Sequence, residues 1–144
     1  MTDKNKKYSK EEMISMTKNV MRYLDAWRLR SDEIINILGM DEKTRTRQLQ
    51  LFRAGSKTLG QDKETLQRVE HIAGIVDALR TAYPMNAPMR GRWLYKPCRR
   101  FKGNTPLAII MDEGIEGLIK ARVEIDCAYG WYLSEQMKVK LENK

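Results

Sequence analysis

The sequence is poor in the side chains that metal sites and nucleophilic active sites use most often. Its 144 residues include one histidine, His71, and two cysteines, Cys98 and Cys127, which are far apart. A zinc site needs several clustered Cys or His ligands, and no such cluster occurs. The cysteines are interpreted as free thiols. Catalysis by a Cys-His or Ser-His pair would have to use His71, which lies beside Ile72 and Ala73 in a helical pattern and is therefore expected to have a structural role.

Other enzymatic signatures are also missing. The chain has no Walker pattern and no G-x-G-x-x-G loop that would surround a phosphate group. Asp112 and Glu113 are adjacent in sequence, so their side chains would diverge on a helix instead of forming a carboxylate pair. We therefore predict that the protein is not an enzyme and that it uses no metal and no cofactor.

Long apolar runs are absent as well. No run approaches the roughly 18 residues that a membrane-spanning helix needs. The first seven residues, from Met1 to Lys7, contain lysines that are not followed by the apolar stretch of a secretory signal. These two observations predict a cytoplasmic protein with no membrane partner.

What the chain does have is positive charge. It carries 27 Lys and Arg against 19 Asp and Glu, for a net charge of +8. A balance of this size favours a polyanionic partner. The cations are concentrated in residues 43–60 and 90–102, neither of which contains an acidic residue. Either segment could bind a polyanion or form ordinary solvated surface.

Local signals predict an all-α fold with no strand. Ser9 and Glu12 form a capping box, and the apolar residues that follow at helical spacing predict a first helix over about residues 10–28. A long fourth helix is predicted to stop at Pro84. Further helix starts are predicted at Asp62, at Asn86-Ala87-Pro88 and at Thr105-Pro106, and a last helix is predicted over about residues 115–128.

Residues 31–54 have the spacing of a helix-turn-helix. Ser31 is predicted to cap a short second helix, Gly39 to begin a tight turn, and Asp41 to cap a third helix that Gly55 ends. In this motif the later helix enters the major groove, where Arg can bond guanine and Gln can bond adenine. The alternative is a helical hairpin with a basic face. The candidate DNA-binding residues are Lys43, Thr44, Arg45, Arg47, Gln48, Gln50 and Lys57, of which Thr44 and Lys57 are assigned to phosphate.

A second pattern occupies the C-terminal half. In order, it consists of Trp93-Leu94, Pro97, Phe101-x-Gly103-x-Thr105-Pro106-Leu107, Gly114 and Tyr129-Gly130, preceded by Leu66, Arg68 and Ile72. With the upstream helix-turn-helix, this pattern resembles the Xre/MbcA/ParS family of antitoxins over roughly residues 30–130. The spacing from Trp-Leu to Gly-x-Thr-Pro is moderately specific for that family's toxin-binding domain.

The resemblance implies a function and a domain organisation. Residues 1–60 would hold the first helix and the DNA-binding helix-turn-helix, and residues 61–144 a small helical toxin-binding domain with a C-terminal tail. Such antitoxins form homodimers or higher oligomers and repress their own operon by binding its operator DNA. Their C-terminal region blocks a cognate toxin, often of the RES type, which degrades NAD. The resemblance thus predicts the antitoxin of a type II toxin-antitoxin pair.

Within the C-terminal half, large apolar residues such as Trp93, Leu94 and Phe101 are expected in the core, and Gly103 is expected to adopt a positive backbone angle. The candidate contacts with a partner protein are instead Arg122, Tyr129, Trp131 and Tyr132, because Tyr, Trp and Arg are common interface anchors. For Trp131 and Tyr132, packing of the tail on its own domain is the alternative.

Three functional alternatives remain open from the sequence. The first is the autoregulatory antitoxin. The second is a stand-alone helix-turn-helix transcriptional regulator without a toxin partner, and the third is a helical adaptor that uses only its C-terminal domain. The methionines of the first helix could form a dimer surface or could fill irregular gaps in the core.

Overall fold

The computed structural model describes residues 8–127, and every regular element in that range is helical. The predicted all-α class is confirmed. The described residues form two compact units, divided between Glu70 and His71. The helices are α1 (Lys10–Ala26), α2 (Ser31–Ile37), α3 (Thr46–Ala54), α4 (Lys63–Ala82), α5 (Ala87–Arg92), α6 (Pro106–Glu113) and α7 (residues 115–127), with 3-10 turns at Trp93–Tyr95 and Arg99–Phe101.

Most of the predicted helix starts are confirmed by their caps. The Ser9 hydroxyl accepts from the Glu12 amide at 3.1 Å, and the Glu12 carboxylate accepts from the Ser9 amide at 2.9 Å. The Asn86 side chain accepts from the Met89 amide at 3.1 Å, and the Thr105 hydroxyl accepts from the Ala108 amide at the same distance. Each of these bonds satisfies a backbone donor that the first turn of a helix leaves without a partner.

Two predicted starts in the first unit are wrong. Ser31 is the first residue of α2 and not its cap; the Glu33 carboxylate instead accepts from the Arg30 amide at 2.8 Å. The third helix begins at Thr46 and not at Asp41.

Asp41 holds a turn instead of capping a helix. Its carboxylate accepts from the Lys43 amide at 3.0 Å, and its carbonyl accepts from the Thr44 amide at 2.9 Å. Because a short acidic side chain can satisfy nearby amides outside a helix, it competes with helix formation. The backbone is then extended at Arg45. The connection between α2 and α3 therefore spans residues 38–45, which is longer than the predicted tight turn.

The core of the first unit lies where α1 and α2 pack against α3. One polar side chain is fully buried there: the Thr17 hydroxyl accepts from the Leu59 amide at 3.0 Å. At the edge of the α1–α3 contact, Arg53 donates two hydrogen bonds of 2.9 Å to Asp25, and this pairing raises the pKa of the Arg53 guanidinium. The buried apolar residues include Met13, Val20, Met21, Leu24, Trp27, Ile34, Ile37, Leu38, Leu49 and Phe52.

The core of the second unit confirms that Trp93 and Leu94 are buried, whereas Phe101 is half-buried. The predicted positive backbone angle at Gly103 is also confirmed, with a φ of +89°. The chain turns at Gly114 between α6 and α7. The other buried apolar residues described in this unit include Ile72, Ile75, Val76, Leu79, Leu107, Ile110, Leu118, Ala121 and Ile125.

Candidate nucleic-acid interface

The outward face of α3 carries two of the predicted DNA-binding residues. Arg47, Gln50 and Leu51 are exposed, whereas Leu49 and Phe52 on the opposite face are buried. Residues three and four apart lie on the same side of a helix, so Arg47, Gln50 and Leu51 form one surface. Leu51, at 41% exposure, is one of the few large apolar residues that the described chain leaves open to solvent. We call Arg47, Gln50 and Leu51 the α3 outward face.

The other five predicted residues line a groove beside that face. Lys43, Thr44 and Arg45 come from the α2–α3 connection, Gln48 from α3, and Lys57 from the segment after α3. The groove has a volume of about 590 Å³. We call this groove the cationic groove. The sequence treated the seven residues as one set, whereas the structure divides them between the α3 outward face and the cationic groove. Its remaining lining residues are Leu38, Gly39, Met40, Asp41, Phe52, Thr58, Leu59, Gly60 and Thr65.

Lys57 is held against α3 by both its backbone and its side chain. The Leu51 carbonyl accepts from the amides of Ser56 and Lys57 at 3.0 and 3.3 Å, which closes the helix end. The Lys57 ammonium donates to the Gln48 side-chain oxygen at 2.7 Å and lies 5.8 Å from the centroid of the Phe52 ring. Lys57 is therefore positioned before any ligand arrives.

The positive charge of this region is largely uncompensated within the described residues. Arg53, on the same helix, pairs with Asp25, but no ion pair with residues 8–127 involves Lys43, Arg45, Arg47 or Lys57. Asp41 is the one acidic residue among those lining the cationic groove, and its carboxylate already accepts from the Lys43 amide. An approaching anion therefore meets a net positive surface.

The start of α3 adds to this potential. Arg45, the residue before the helix, provides no side-chain acceptor, and the first turn contains no acidic residue. The first amides of a helix carry a partial positive charge, which favours anions. The arrangement therefore suits a phosphate near Arg45 and Thr46.

Arg68 fixes the α2–α3 connection, which carries Lys43, Thr44 and Arg45. The Arg68 guanidinium donates to the carbonyl of Ile37 at 3.2 Å, at the end of α2, and to Glu64 at 3.1 Å. A Cβ at Gly39 would lie only 2.6 Å from Arg68 Nε, and Gly39 has a φ of +71°. The backbone angle requires glycine here, and a side chain at 39 would also displace the Arg68 guanidinium. The sequence missed this contact because it joins residues that are distant in the chain.

In the second unit, Arg122 is the one predicted partner-binding residue that the structure describes. It is half-buried, and its Nη1 lies 3.2 Å from Nδ1 of His71. A Cβ at Gly74 would lie 2.9 Å from Arg122 Nη2, so the guanidinium lies across α4. Arg122 therefore makes contacts within its own unit. Tyr129, Trp131 and Tyr132 lie outside the described residues.

Exposed apolar residues of this unit were not predicted as contacts. Val123 is 54% exposed on α7, and Tyr95, the last residue of the 3-10 turn that carries Trp93, is 42% exposed. Val123 lies in the last helix that the sequence predicted, over about residues 115–128. Val123 stands two residues before Ile125, and residues two apart do not share a helix face. This spacing is the signal that would have placed Val123 away from the buried face of Ile125.

The second cationic segment, residues 90–102, is partly engaged within its own unit. Arg90 donates to the carbonyls of Tyr83 and Pro84 at 2.6 and 3.1 Å, near the end of α4. Arg100 pairs with Glu124 at 3.5 Å. This use of two of its arginines favours a structural role for part of the segment, in contrast to the cations around α3.

Within residues 8–127 no group of Cys, His, Asp and Glu is arranged to hold a metal ion, and no helix has the length and apolar character to cross a membrane. The chain was also compared with protein-family models, with curated proteins and with solved structures, and it matches none of them.

Proposed function

We propose that this chain is an antitoxin-type repressor, which binds the DNA of its own operator through its first unit and a cognate toxin through its C-terminal region. The observation that carries the proposal is the uncompensated cationic surface around α3, where an exposed helix face lies beside a groove lined with Lys and Arg. The family resemblance of the sequence supplies the toxin partner, for which a RES-type toxin is the first candidate.

The α3 outward face has the chemistry of base recognition. Arg47 offers two parallel donors to guanine, and Gln50 offers a donor and an acceptor to adenine. Leu51 adds an apolar group beside them, which matches the methyl group of thymine. These three side chains would specify sequence from the major groove.

The cationic groove would supply the contacts that position the duplex. Lys43, Arg45 and Lys57 are suited to phosphates, which add affinity without specifying sequence. A homodimer would present two α3 helices to two half-sites, and this would raise affinity further. Light scattering on the purified protein tests the dimer.

A gel-shift titration tests the DNA half of the proposal. The probe is a duplex with the region upstream of the protein's own coding sequence, and the reference is a scrambled duplex. Replacing Arg47 and Gln50 by Ala should weaken binding to the upstream duplex by at least about 30-fold, because each of the two base contacts contributes about 1–3 kcal/mol and about 1.4 kcal/mol corresponds to a factor of ten. Binding to the scrambled duplex should change much less.

The groove variant should behave differently. Replacing Arg45 and Lys57 by Ala should weaken binding to both duplexes and lower the slope of log K against log salt by about 1–2. The matched control replaces Lys10 and Lys96 by Gln, because both are exposed and lie outside the surface. If the Arg47/Gln50 variant keeps the full preference for the upstream duplex, α3 does not read DNA.

Co-expression tests the toxin half. The neighbouring open reading frame, expressed alone, should arrest growth, and this chain should relieve the arrest and co-purify with the neighbour. Replacing the exposed Val123 by Asp should reduce the relief, since a charge there would disfavour an apolar contact. If the chain binds upstream DNA but the neighbour is not toxic, the proposal of an antitoxin is wrong and a regulator without a toxin partner takes its place.

A further inference from the structure

The cationic groove has an apolar floor that contact with DNA phosphates does not use. Leu38, Phe52 and Leu59 line it and are 3%, 6% and 5% exposed, so their side chains form its base. Met40 and Thr58, both half-buried, continue the lining. A phosphate group on a solvated backbone gains nothing from such a surface, whereas an organic ring or acyl chain would be removed from water there.

The rim of the groove has the opposite character. Lys43, Arg45 and Lys57 are exposed at its edge, where three cations stand against the one carboxylate of Asp41, whose Oδ1 accepts from the Lys43 amide. The position of Lys57 is already fixed by its bond to Gln48, so a ligand would not have to order that side chain. A fixed cation above an apolar floor suits a molecule that has one anionic end and one apolar end.

The size of the groove agrees with a small molecule. Its volume of about 590 Å³ lies within the range of about 300–1,000 Å³ that is usual for small-ligand sites. Most such sites have a mainly apolar lining with a few placed polar groups, whereas in this groove the polar and charged side chains outnumber the apolar ones.

From this geometry we propose that the cationic groove binds a small amphipathic organic anion, namely an aromatic or short acyl body that carries one phosphate, sulfonate or carboxylate group. The anionic end would lie between Lys43, Arg45 and Lys57, and the apolar body would cover Phe52 and Leu59. Because the same three cations are assigned to DNA phosphates above, such a ligand and the duplex would exclude each other. Binding of the anion itself does not depend on the DNA proposal.

The probe for the test is 8-anilinonaphthalene-1-sulfonate, whose fluorescence rises when it leaves water for an apolar site. Its uncharged relative N-phenyl-1-naphthylamine has the same aromatic body without the sulfonate. The full chain should bind one equivalent of the anionic probe, shift the amide resonances of Gly39 and Gly60, and bind the uncharged compound at least ten-fold more weakly. Replacing Lys43 and Lys57 by Gln should lower the affinity for the anionic probe at least ten-fold. The Lys10/Lys96 control variant should bind the anionic probe with the affinity of the parent.

Several results would overturn the inference. These are equal binding of the two compounds, unchanged binding by the Lys43/Lys57 variant, or amide shifts confined to residues outside the groove. The failure of this inference and of the proposed function are separable, because probe binding is measured without DNA. A chain that binds the probe but not its upstream duplex would keep the groove site and lose the repressor, and the reverse result would keep the repressor alone.

Discussion

Two helical glycines of the second unit allow a sharp test of its packing. A Cβ added at Gly117 of α7 would meet the backbone of α6, with Cα of Ile110 at 2.7 Å. A Cβ added at Gly74 of α4 would instead meet the guanidinium of Arg122, the far end of a flexible side chain. The same substitution, Gly to Ala, therefore faces a rigid obstacle at one position and a movable one at the other.

The expected magnitudes follow from these neighbours. Ordinary contact begins near 3.4 Å, and the Ile109 carbonyl oxygen is nearer to the added Cβ than the Ile110 Cα is. The two helices α6 and α7 must therefore separate by more than the roughly 0.7 Å that the Ile110 Cα alone would need. Overpacking of this kind costs about 1–3 kcal/mol, and the upper end applies because backbone must move. Replacing glycine by alanine inside a helix stabilises the helix by up to about 1 kcal/mol, which offsets part of this cost. The net loss for Gly117→Ala is therefore about 2 kcal/mol. For Gly74→Ala, the gain from alanine and the loss of the Arg122 contact nearly cancel.

Urea unfolding followed by circular dichroism measures the difference directly. With a slope of about 2 kcal/mol per molar urea, the midpoint of Gly117→Ala should fall by about 1 M, and that of Gly74→Ala by much less. A wild-type midpoint for Gly117→Ala, or equal midpoints for the two variants, would mean that α6 and α7 do not approach as described.

Two further variants test local contacts of the first unit by the same measurement. Thr17→Val should lower the free energy of unfolding by about 1–3 kcal/mol, because it leaves the buried Leu59 amide without its acceptor. The control variant Thr17→Ser keeps the hydroxyl oxygen and should lose less stability. A Val variant as stable as the parent would contradict the contact. Asp62→Ala should cost about 1 kcal/mol at neutral pH, because Asp62 caps α4. Hydrogen bonds from Thr65 lower the pKa of Asp62 below its ordinary value of 3.8, so its contribution is present above that value and is lost as the pH falls through the lowered pKa. The difference between parent and Asp62→Ala should therefore shrink in acid, and a difference that does not depend on pH would contradict this account.

The parts of the fold that the sequence predicted correctly depend on neighbours in the chain. Ser9 with Glu12, and Thr105 with the Ala108 amide, are separated by three residues, so their chemistry is visible without a tertiary structure. Asp41 shows the limit of such signals. An aspartate can cap a helix or hold a turn by satisfying nearby amides, and the local sequence does not distinguish the two uses.

The candidate site was predictable in composition but not in arrangement. The sequence placed Lys43 and Gln50 on one helix, whereas the structure has Lys43 on the connection and Gln50 on α3. Leu51 was missed because an apolar residue between Leu49 and Phe52 suggests a continuous core. Its position two residues after Leu49 places it on a different face of the helix.

The contact between Gly39 and Arg68 has a consequence for how this sequence can change. The Arg68 side chain occupies the volume that a methyl group at position 39 would need, and it is 11% exposed. The two residues therefore share one space, although a whole helix separates them in the chain. A larger residue at 39 would displace the arginine that holds the end of α2, so a change at 39 should be accompanied by a change at 68, whereas the φ of +71° keeps glycine at 39 whichever residue stands at 68.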